Sequence, residues 1–555
     1  MASILTPVSL WEDFQFNEEL SYKVLSEKTE DGIVIKEFSL VGRKVEEENV
    51  DIYAVLAQPE GSNTSGAIYV ISSYNSPINL SLLKDIAKQG YVAFSVDFMG
   101  NASGHGEHYT VYPSSISYAN ADLTTDSLHF IKDSVKHSCW YEWDVVARYG
   151  FKYLKEKFDM DKIAGLGVYQ GSLLLWHLAA LEKLSCSIFI SGTGWRAYRG
   201  NFKFDDVPEP NFDESVYSYL AGVEPQAYAK YVKCPTLILT QTNSPYCDND
   251  RAYDTIFRID KSLYTAIDYS VNEVIGIYED QFKDVNLFLD KHIKGVAVDL
   301  PAPMEISSTE TEKGIVITVK PCEKELALLT LFYAEDTVDP AYRCWRPLKT
   351  EKNENGEYTY LYSPTGNADI CFFFAKARYK NGFTVSSNVI AERTEAKSGD
   401  DDSKLKVIYA SGADPIIFSD GKHEGLFDGG VVVKKNPESK IGPMGISGVY
   451  AEDRLTTFAV NSNADKPLPN ANLMFDVYSS VHGAMKVKLL FSEGGKDTEY
   501  VYSFDVKGYD VWQAVIINPD RFKSEEGKSI ANIGNLKRIT FEKEGSFAIN
   551  NLLWI

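Results

Sequence analysis

The residues from Lys162 to Ala180, KIAGLGVYQGSLLLWHLAA, set an apolar run of strand length against a glycine-rich turn and then an apolar helix. Gly167 and Gly171 bracket the turn, and the residue midway between them is the one such a turn presents. A hydroxyl held there can attack an acyl carbon if an imidazole removes its proton and a carboxylate orients the imidazole. In this chain the residue is Tyr169. Its phenol has an ordinary pKa of about 10 and is large enough to crowd the space an acyl group must enter. Ser172 lies about one helical turn further on, outside the frame set by the two glycines, where a serine bonds backbone at a helix start.

Imidazoles are scarce where this chemistry needs them. No histidine occurs between Leu178 and Lys291. His105 and His108 fall in a long polar loop, MGNASGHGEHYTVYPSSISYANADL, where they either touch a ligand or belong to an ordinary glycine-rich turn. His177 follows the turn on an apolar helix and reads as a satisfied core residue, and His292, in FLDKHIKG, reads as a surface residue. Metal chemistry has no sequence support either, since HExxH, a Cys/His quartet and an EF-hand loop are all missing. GKHEGLFDGG (421–430) reads as a glycine-rich connection rather than a calcium loop. GLGVYQG lacks a convincing acidic residue about 20 positions on, which a dinucleotide site would require. Neither a metal nor a cofactor is expected.

The elements that must hold these residues follow from the periodicity. IVIKEFSLVG and VDIYAVLAQP read as strands joined by a charged turn. GAIYVISS, the helix LSLLKDIAKQG, YVAFSVDF, a helix from Trp143 to Phe158, KIAGLGV and its helix, SCSIFISG, CPTLILTQ and LYTAIDYS then alternate. Apolar strands alternating with helices predict a mostly parallel sheet covered on both faces. An aromatic, acidic insertion, residues 195–232, interrupts this series as a lid would, and the α/β part is expected to span 1–296. Beyond VAVDLPAP only strands follow: an immunoglobulin- or fibronectin-like sandwich is expected over 302–395, then the charged linker EAKSGDDDSK, then a second all-β block over 405–555.

Bulk properties narrow the field. With 555 residues, two to four domains are expected, and an apolar fraction of 44% is ample for their cores. The net charge of −22 argues against nucleic acid and anionic membranes as partners. No apolar run approaches the roughly 18 residues of a spanning helix, and the N-terminus lacks the pattern of a secretory signal. The seven cysteines, several inside apolar runs, read as buried thiols rather than a disulfide framework. A cytoplasmic protein is expected.

Four features in order, VDFMGNASGHGE, WYEWDVVARYGFKYL, the elbow and CPTLILTQTNSPYCD, resemble the α/β-hydrolases, nearest the dienelactone-hydrolase and acetyl-xylan-esterase-like groups. The resemblance covers a little under half the chain. It implies a catalytic serine, then an acid, then a histidine. The equivalent positions here are Tyr169 for the nucleophile, Ser244 for the acid and Glu273 for the histidine, with Asn272 beside it. Asp248 or Asp250 could stand in for the acid, although both read as the start of the next helix. The oxyanion hole would use the backbone N–H of Gln170 and that of Tyr74 or Asn75. A pocket would be lined by Asn75, His105, His108 and Trp195. Tyr74, Tyr109, Tyr112, Tyr169, Trp195 and Tyr198 either line a cleft for a sugar ring or acyl group or simply cover the elbow. The run WQAVIINPDRF…LKRITFEKEGSFAINNLLWI resembles galactose-binding-like jelly rolls appended to carbohydrate-active enzymes.

All three triad positions have changed together. The expectation is an esterase-related protein, catalytically inactive, that binds a small ester or carbohydrate ligand. Two alternatives stay open: an acyl-ester hydrolase working through Tyr169 or Ser172, and a polysaccharide-binding scaffold led by the C-terminal block.

Overall fold

Five- and six-residue runs of Val, Ile, Leu, Phe and Ala fit a strand only where both faces are buried. In a computed structural model they form the centre of a nine-stranded sheet. The structure describes residues 4–16, 19–61, 64–73, 77–103, 108–120, 131–158, 162–245, 247–353, 356–364, 368–393, 405–420, 431–493 and 496–555. The strands are β1 (Tyr22–Glu30), β2 (Ile33–Val45), β3 (Glu48–Pro59), β4 (Ala67–Ile71), β5 (Val92–Val96), β6 (Ile163–Val168), β7 (Cys186–Ile190), β8 (Thr236–Gln241) and β9 (Thr265–Ser270). Their order across the sheet is β1-β2-β3-β5-β4-β6-β7-β8-β9. The first three pair antiparallel and β3 joins β5 antiparallel, whereas every pairing from β5 to β9 is parallel. Every residue of β4 to β9 is buried.

Two cores explain that burial. On one face the helices Cys139–Phe158 and Gln170–Leu181 pack over Tyr69, Phe94 and Phe189. On the other, Leu80–Lys88 and Gln281–Leu289 cover Ile68, Val70, Ala93 and Ile188. Strand β1 is the edge of the sheet, paired with β2 alone over eight positions, and its side chains are mostly exposed. Nothing in YKVLSEKTE alternates. His292 departs from the expectation of a surface residue: it is half-buried, its ring 4.6 Å from that of Phe288, and burial with the Lys291 charge pushes its pKa down to about 4.

The chain after Leu300 is β-rich. Glu305–Thr311, Gly314–Lys320, Tyr358–Tyr362 and Glu351–Lys352 form one sheet, and Leu326–Glu335, Ile370–Tyr379 and their shorter partners form another. From Lys406 to Trp554 a third sheet is organised on the 19-residue strand Leu536–Trp554. All seven cysteines are unpaired. Among the described residues no helix is long and apolar enough to cross a membrane.

Close packing at the elbow explains its glycines. A Cβ at Gly167 would lie 2.7 Å from the Ser172 Cα, and one at Gly171 would lie 2.2 Å from the Ile71 carbonyl oxygen. Neither position needs a positive φ; both need the missing side chain so that the helix can meet β4 and β6. Gly171→Ala is therefore expected to lower stability by at least about 1–3 kcal/mol, the cost of forcing an extra methyl into a packed core. A urea midpoint equal to that of the wild type would disprove this packing.

Candidate functional site

The turn after β6 has the backbone of a nucleophile elbow. Tyr169 stands at φ 50°, ψ −111°, a conformation costly for any residue with a side chain. It precedes the helix Gln170–Leu181 directly, at the carboxyl edge of the parallel strands, where ligands bind in open α/β sheets. The side chain is only 1% exposed. Its hydroxyl accepts the Gly276 N–H at 2.9 Å, and its ring packs with Val168, Val274, Ile275 and Phe458. Phe458 comes from the β-rich C-terminal region, so the mouth of the elbow is roofed by a distant part of the chain.

The acid position is likewise part of a contact. Ser244 is buried in the turn after β8. Its neighbour Asn243 donates through Nδ2 to the Arg343 carbonyl at 2.7 Å, and its N–H donates to the Glu273 carbonyl at 3.0 Å. Asp248 caps the helix Asn249–Ile256, accepting the N–H groups of Asp250 and Arg251. Burial and the charge of Asp250 push its pKa up to about 7. Asp250 holds both terminal nitrogens of Arg343, at 2.6 and 2.9 Å, with both side chains 1% exposed. Neither carboxylate is bonded to an imidazole among the described residues.

The histidine position is occupied by an ion pair. Glu273 is 1% exposed, and its Oε2 accepts from Lys434 Nζ at 2.7 Å. Lys434 also meets Asp420. Burial pushes the Glu273 carboxyl up to about 7, with Lys434 pulling against that rise. Burial pulls the Lys434 ammonium down, but Glu273 and Asp420 outweigh it and leave its pKa raised. Next to Glu273, Asn272 adopts φ 57° and bridges outward: its Nδ2 donates to the carbonyls of Trp345 (2.9 Å) and Ile416 (2.7 Å), and its Oδ1 accepts the Trp345 N–H (2.8 Å). Ile277–Tyr278 then pairs in parallel with Val433–Lys434.

The structure thus gathers Tyr169, Ser244 and Glu273 at one edge, linked through the backbone of Glu273 and Gly276. The other described residues of the expected pocket have partners of their own. Gln170 is buried and accepts the Ser73 hydroxyl at 2.5 Å through its side chain. His108 is exposed, its ring 5.8 Å from that of Tyr53. Trp195 lies in the insertion, where its Nε1–H donates to Thr255 at 2.9 Å and Arg251 and Arg258 lie over its ring. Tyr112 is buried, its hydroxyl donating to the Phe98 carbonyl at 2.5 Å. Tyr74, Asn75, His105 and the 421–430 loop lie outside the described residues.

Ser172 and His177, the other candidates, are satisfied internally. The Ser172 hydroxyl donates to the Ile190 carbonyl at 3.1 Å. His177 places Nδ1 2.5 Å from Asp144 and Nε2 2.6 Å from the Val223 carbonyl, under the ring of Tyr228. The histidine–carboxylate pair that catalysis would want is present, but it is sealed beneath the helix. A cavity of about 320 Å³ exists elsewhere, between Glu335 and Arg346 on one side and Lys406 and Asp465 on the other, with Arg346 and Asp465 paired at 2.6 Å. No group of three His, Cys, Asp or Glu able to hold a metal occurs among the described residues.

Lys434, Arg343, Phe458 and Gly276 were not readable as site residues, because each acts across more than 90 positions of sequence. VVVKK, a lysine inside an apolar run, was the one signal.

No family model and no curated protein matches the chain. Among solved structures it is similar to an acetyl xylan esterase from a Paenibacillus species, at 14% identity over 52% of this chain and 92% of that one, with a TM-score of 0.40. An esterase from Pyrococcus furiosus is matched at 15% identity over 53% and 95%, with a TM-score of 0.31. A family 11 carbohydrate-binding module from Clostridium thermocellum is matched at 16% identity over 21% and 80%, with a TM-score of 0.17. The strand order and the elbow conformation on their own define an α/β-hydrolase-like fold, followed by β-rich regions.

Two measurements test the edge. Lys434→Met leaves Glu273 buried without its partner, so a loss of about 3–5 kcal/mol is expected, partly restored in the Glu273→Leu/Lys434→Met double variant. A single-variant loss below about 1 kcal/mol would mean the pair is not buried. The second concerns pH. Because the folded-state pKa of Glu273, about 7, lies above its ordinary 4.5, its contribution to stability is full below pH 4.5 and is lost as pH rises through 7. Glu273→Gln should therefore flatten the fall in urea midpoint between pH 5 and 7, and an identical slope in both proteins would refute the shift.

Proposed function

We propose that this protein is a catalytically inactive member of the esterase-like α/β-hydrolases that acts by binding a ligand, a carbohydrate before a small ester. In this reading the chain is built as an α/β unit over 1–296 with its insertion at 195–232, a sandwich over 302–395 and a jelly roll over 405–555. One observation carries the proposal: the hydroxyl at the nucleophile position accepts the Gly276 N–H beneath Phe458, while the histidine position holds Glu273 against Lys434. A nucleophile there would need a general base within hydrogen-bond reach and room for the acyl group. The neighbouring side chains offer neither. The surviving turn geometry supports descent from a working elbow, and the negative net charge of −22 favours a neutral or cationic ligand over a polyanion.

The test is hydrolysis of p-nitrophenyl acetate by the full chain. No turnover above the uncatalysed rate is expected, and Tyr169→Ser should not create any, since no imidazole among the described residues is bonded at this edge. Turnover that disappears in Tyr169→Phe or Ser172→Ala would replace this reading with the hydrolase one.

A further inference from the structure

The cavity of about 320 Å³ lies where the two β-rich regions meet. Its walls come from four stretches of chain: Tyr333–Glu335 at the end of one strand, Cys344 and Arg346 beside it, Leu405–Val407 at the start of the next region, and the turn around Ser462 and Asp465. None of these residues belongs to the elbow or to the Glu273–Lys434 edge. The volume is that of a small-ligand site. Leu405 and Val407 are exposed, so the space connects with solvent.

Strand register sets the polar groups of this cleft. Tyr333 stands opposite Arg346 in the antiparallel ladder of Leu326–Glu335 with Arg346–Leu348, so the two side chains leave the sheet on the same side. Glu335, two positions beyond Tyr333, follows on that side and accepts the Tyr362 hydroxyl at 2.7 Å. Asp465 reaches in from the other region. Its Oδ1 accepts from Arg346 Nη2 at 2.6 Å and its Oδ2 accepts the Ser462 hydroxyl at 2.9 Å. The Asp465 N–H donates back to Ser462 Oγ at 3.2 Å, so the turn fixes Asp465 and Asp465 fixes Arg346. Burial pushes the Cys344 thiol and the Tyr333 phenol each up to about 12, which keeps both neutral.

Much hydrogen-bonding capacity is left over. A guanidinium carries five N–H donors in a planar fork, and that of Arg346 makes a single hydrogen bond among the described residues. The Tyr333 hydroxyl makes none among them. The Arg346 side chain is 26% exposed, so its open donors can be reached through the cavity. Open donors on a held guanidinium call for a carboxylate, which the fork grips with two parallel bonds. Charge narrows the choice further, since Arg346 and Lys406 balance Glu335 and Asp465 around the cavity. A ligand with a carboxylate alone would bring an unbalanced negative charge beside two others. A ligand with an amine alone would leave the donors of Arg346 unmet. A zwitterion satisfies both, because the oxygens of Glu335 and Asp465 each accept more than one hydrogen bond.

We propose that this cleft binds a free α-amino acid, its carboxylate on Arg346 and the Tyr333 hydroxyl, its ammonium against Asp465 and Glu335, and its side chain along Leu405 and Val407. The site is separate from the ligand binding proposed above and does not depend on it. Arg346 is held in place before the ligand arrives, so little ordering is left for binding to impose. Because the walls belong to both β-rich regions, a bound amino acid links them and stabilises the folded chain by mass action.

Isothermal titration calorimetry of the full chain with each common L-amino acid in turn tests this. Saturable binding of at least one is expected. Its N-acetyl derivative, which lacks the ammonium, and its amide, which lacks the carboxylate, should each bind about tenfold or more weakly, the scale of a lost charge-assisted hydrogen bond. Arg346→Lys keeps a cation beside Asp465 but loses the fork, and Ala464→Trp fills the cleft without touching a charge. Both should weaken binding about tenfold or more with an unchanged circular dichroism spectrum. Binding undiminished in both variants would place the ligand elsewhere and overturn this site. An N-acetyl derivative that binds as well as the free amino acid would overturn the zwitterion. No saturable binding of any amino acid would overturn the proposal outright. The p-nitrophenyl acetate assay does not involve this cleft, so the two readings stand or fall separately.

Discussion

The burial of the Lys434 ammonium at the carboxyl edge of the parallel strands is the constraint on which the surrounding structure depends. An ammonium 1% exposed is tolerable only with anionic partners in close contact, and Glu273 and Asp420 supply them from two separate stretches of chain. Satisfying that charge fixes Val433–Lys434 beside Ile277–Tyr278, and this parallel pairing holds the 271–276 loop in place. The same loop then presents the Gly276 N–H to Tyr169 and the Asn272 carboxamide to Trp345 and Ile416. One buried charge thereby ties the elbow, the sheet and both β-rich regions together. A working hydrolase needs this edge open to substrate. Here it is tied to the β-rich regions by the bonds of Asn272, Glu273 and Ile277–Tyr278.

The edge is also sealed from the side. Strand β9 is the last in the sheet, and an unpaired edge strand is prone to pairing with other chains. Ser386 covers it, its Oγ accepting the Tyr269 N–H at 3.2 Å and donating to Asp268 at 3.0 Å, while Lys376 meets Asp268 at 2.9 Å. Thr384 donates its N–H to Asp284 at 3.0 Å. Asp284 is pushed well above the usual carboxylate range, by burial first and by Asp268 second. Buried carboxylates recur along this whole boundary, and each is matched by a cation or a backbone N–H from the β-rich regions. Polar matching of this kind specifies one docking geometry more sharply than apolar packing does, because a shifted register would strand several charges at once.

What the sequence disclosed and what it hid divide along the same line. The apolar runs of β4 to β9, the alternating helices and the glycines of the elbow are local signals, and each was readable because burial on both faces or a missing Cβ leaves a mark within a few residues. The assignment of Tyr169, Ser244 and Glu273 to triad positions rests on the resemblance alone. Strand β1 fell within the span read as strands, but its exposed side chains carry no alternation to bound it. Not readable were Arg343, Phe458 and Lys434, whose meaning comes from contacts at sequence separations of 93 to 161 residues or more. His292 misled in the opposite direction: the polar letters around it suggest a surface, but a π-helical last turn, Asp290–Lys294, carries its ring against Phe288.

The strained turn at Tyr169 has a physical cause in the packing around it. Tyr169 bears the conformational cost of φ 50°. The glycines on either side answer this. With Gly167 against Ser172 and Gly171 against the carbonyls of Ile71 and Ser72, the helix is already locked onto the strands, and the single residue joining them has no other path. Gly192, at φ 81°, closes the same knot, since a Cβ there would meet Ser172 and the Tyr169 carbonyl at 2.8 Å. Strain at this position is thus a consequence of packing between β6 and its helix, and it survives any change of the side chain. The backbone of the turn is held by the core built on it, whatever side chain it carries. A tyrosine suits the place, its ring long enough to reach Phe458 and its hydroxyl able to satisfy the Gly276 N–H that would otherwise be buried without a partner.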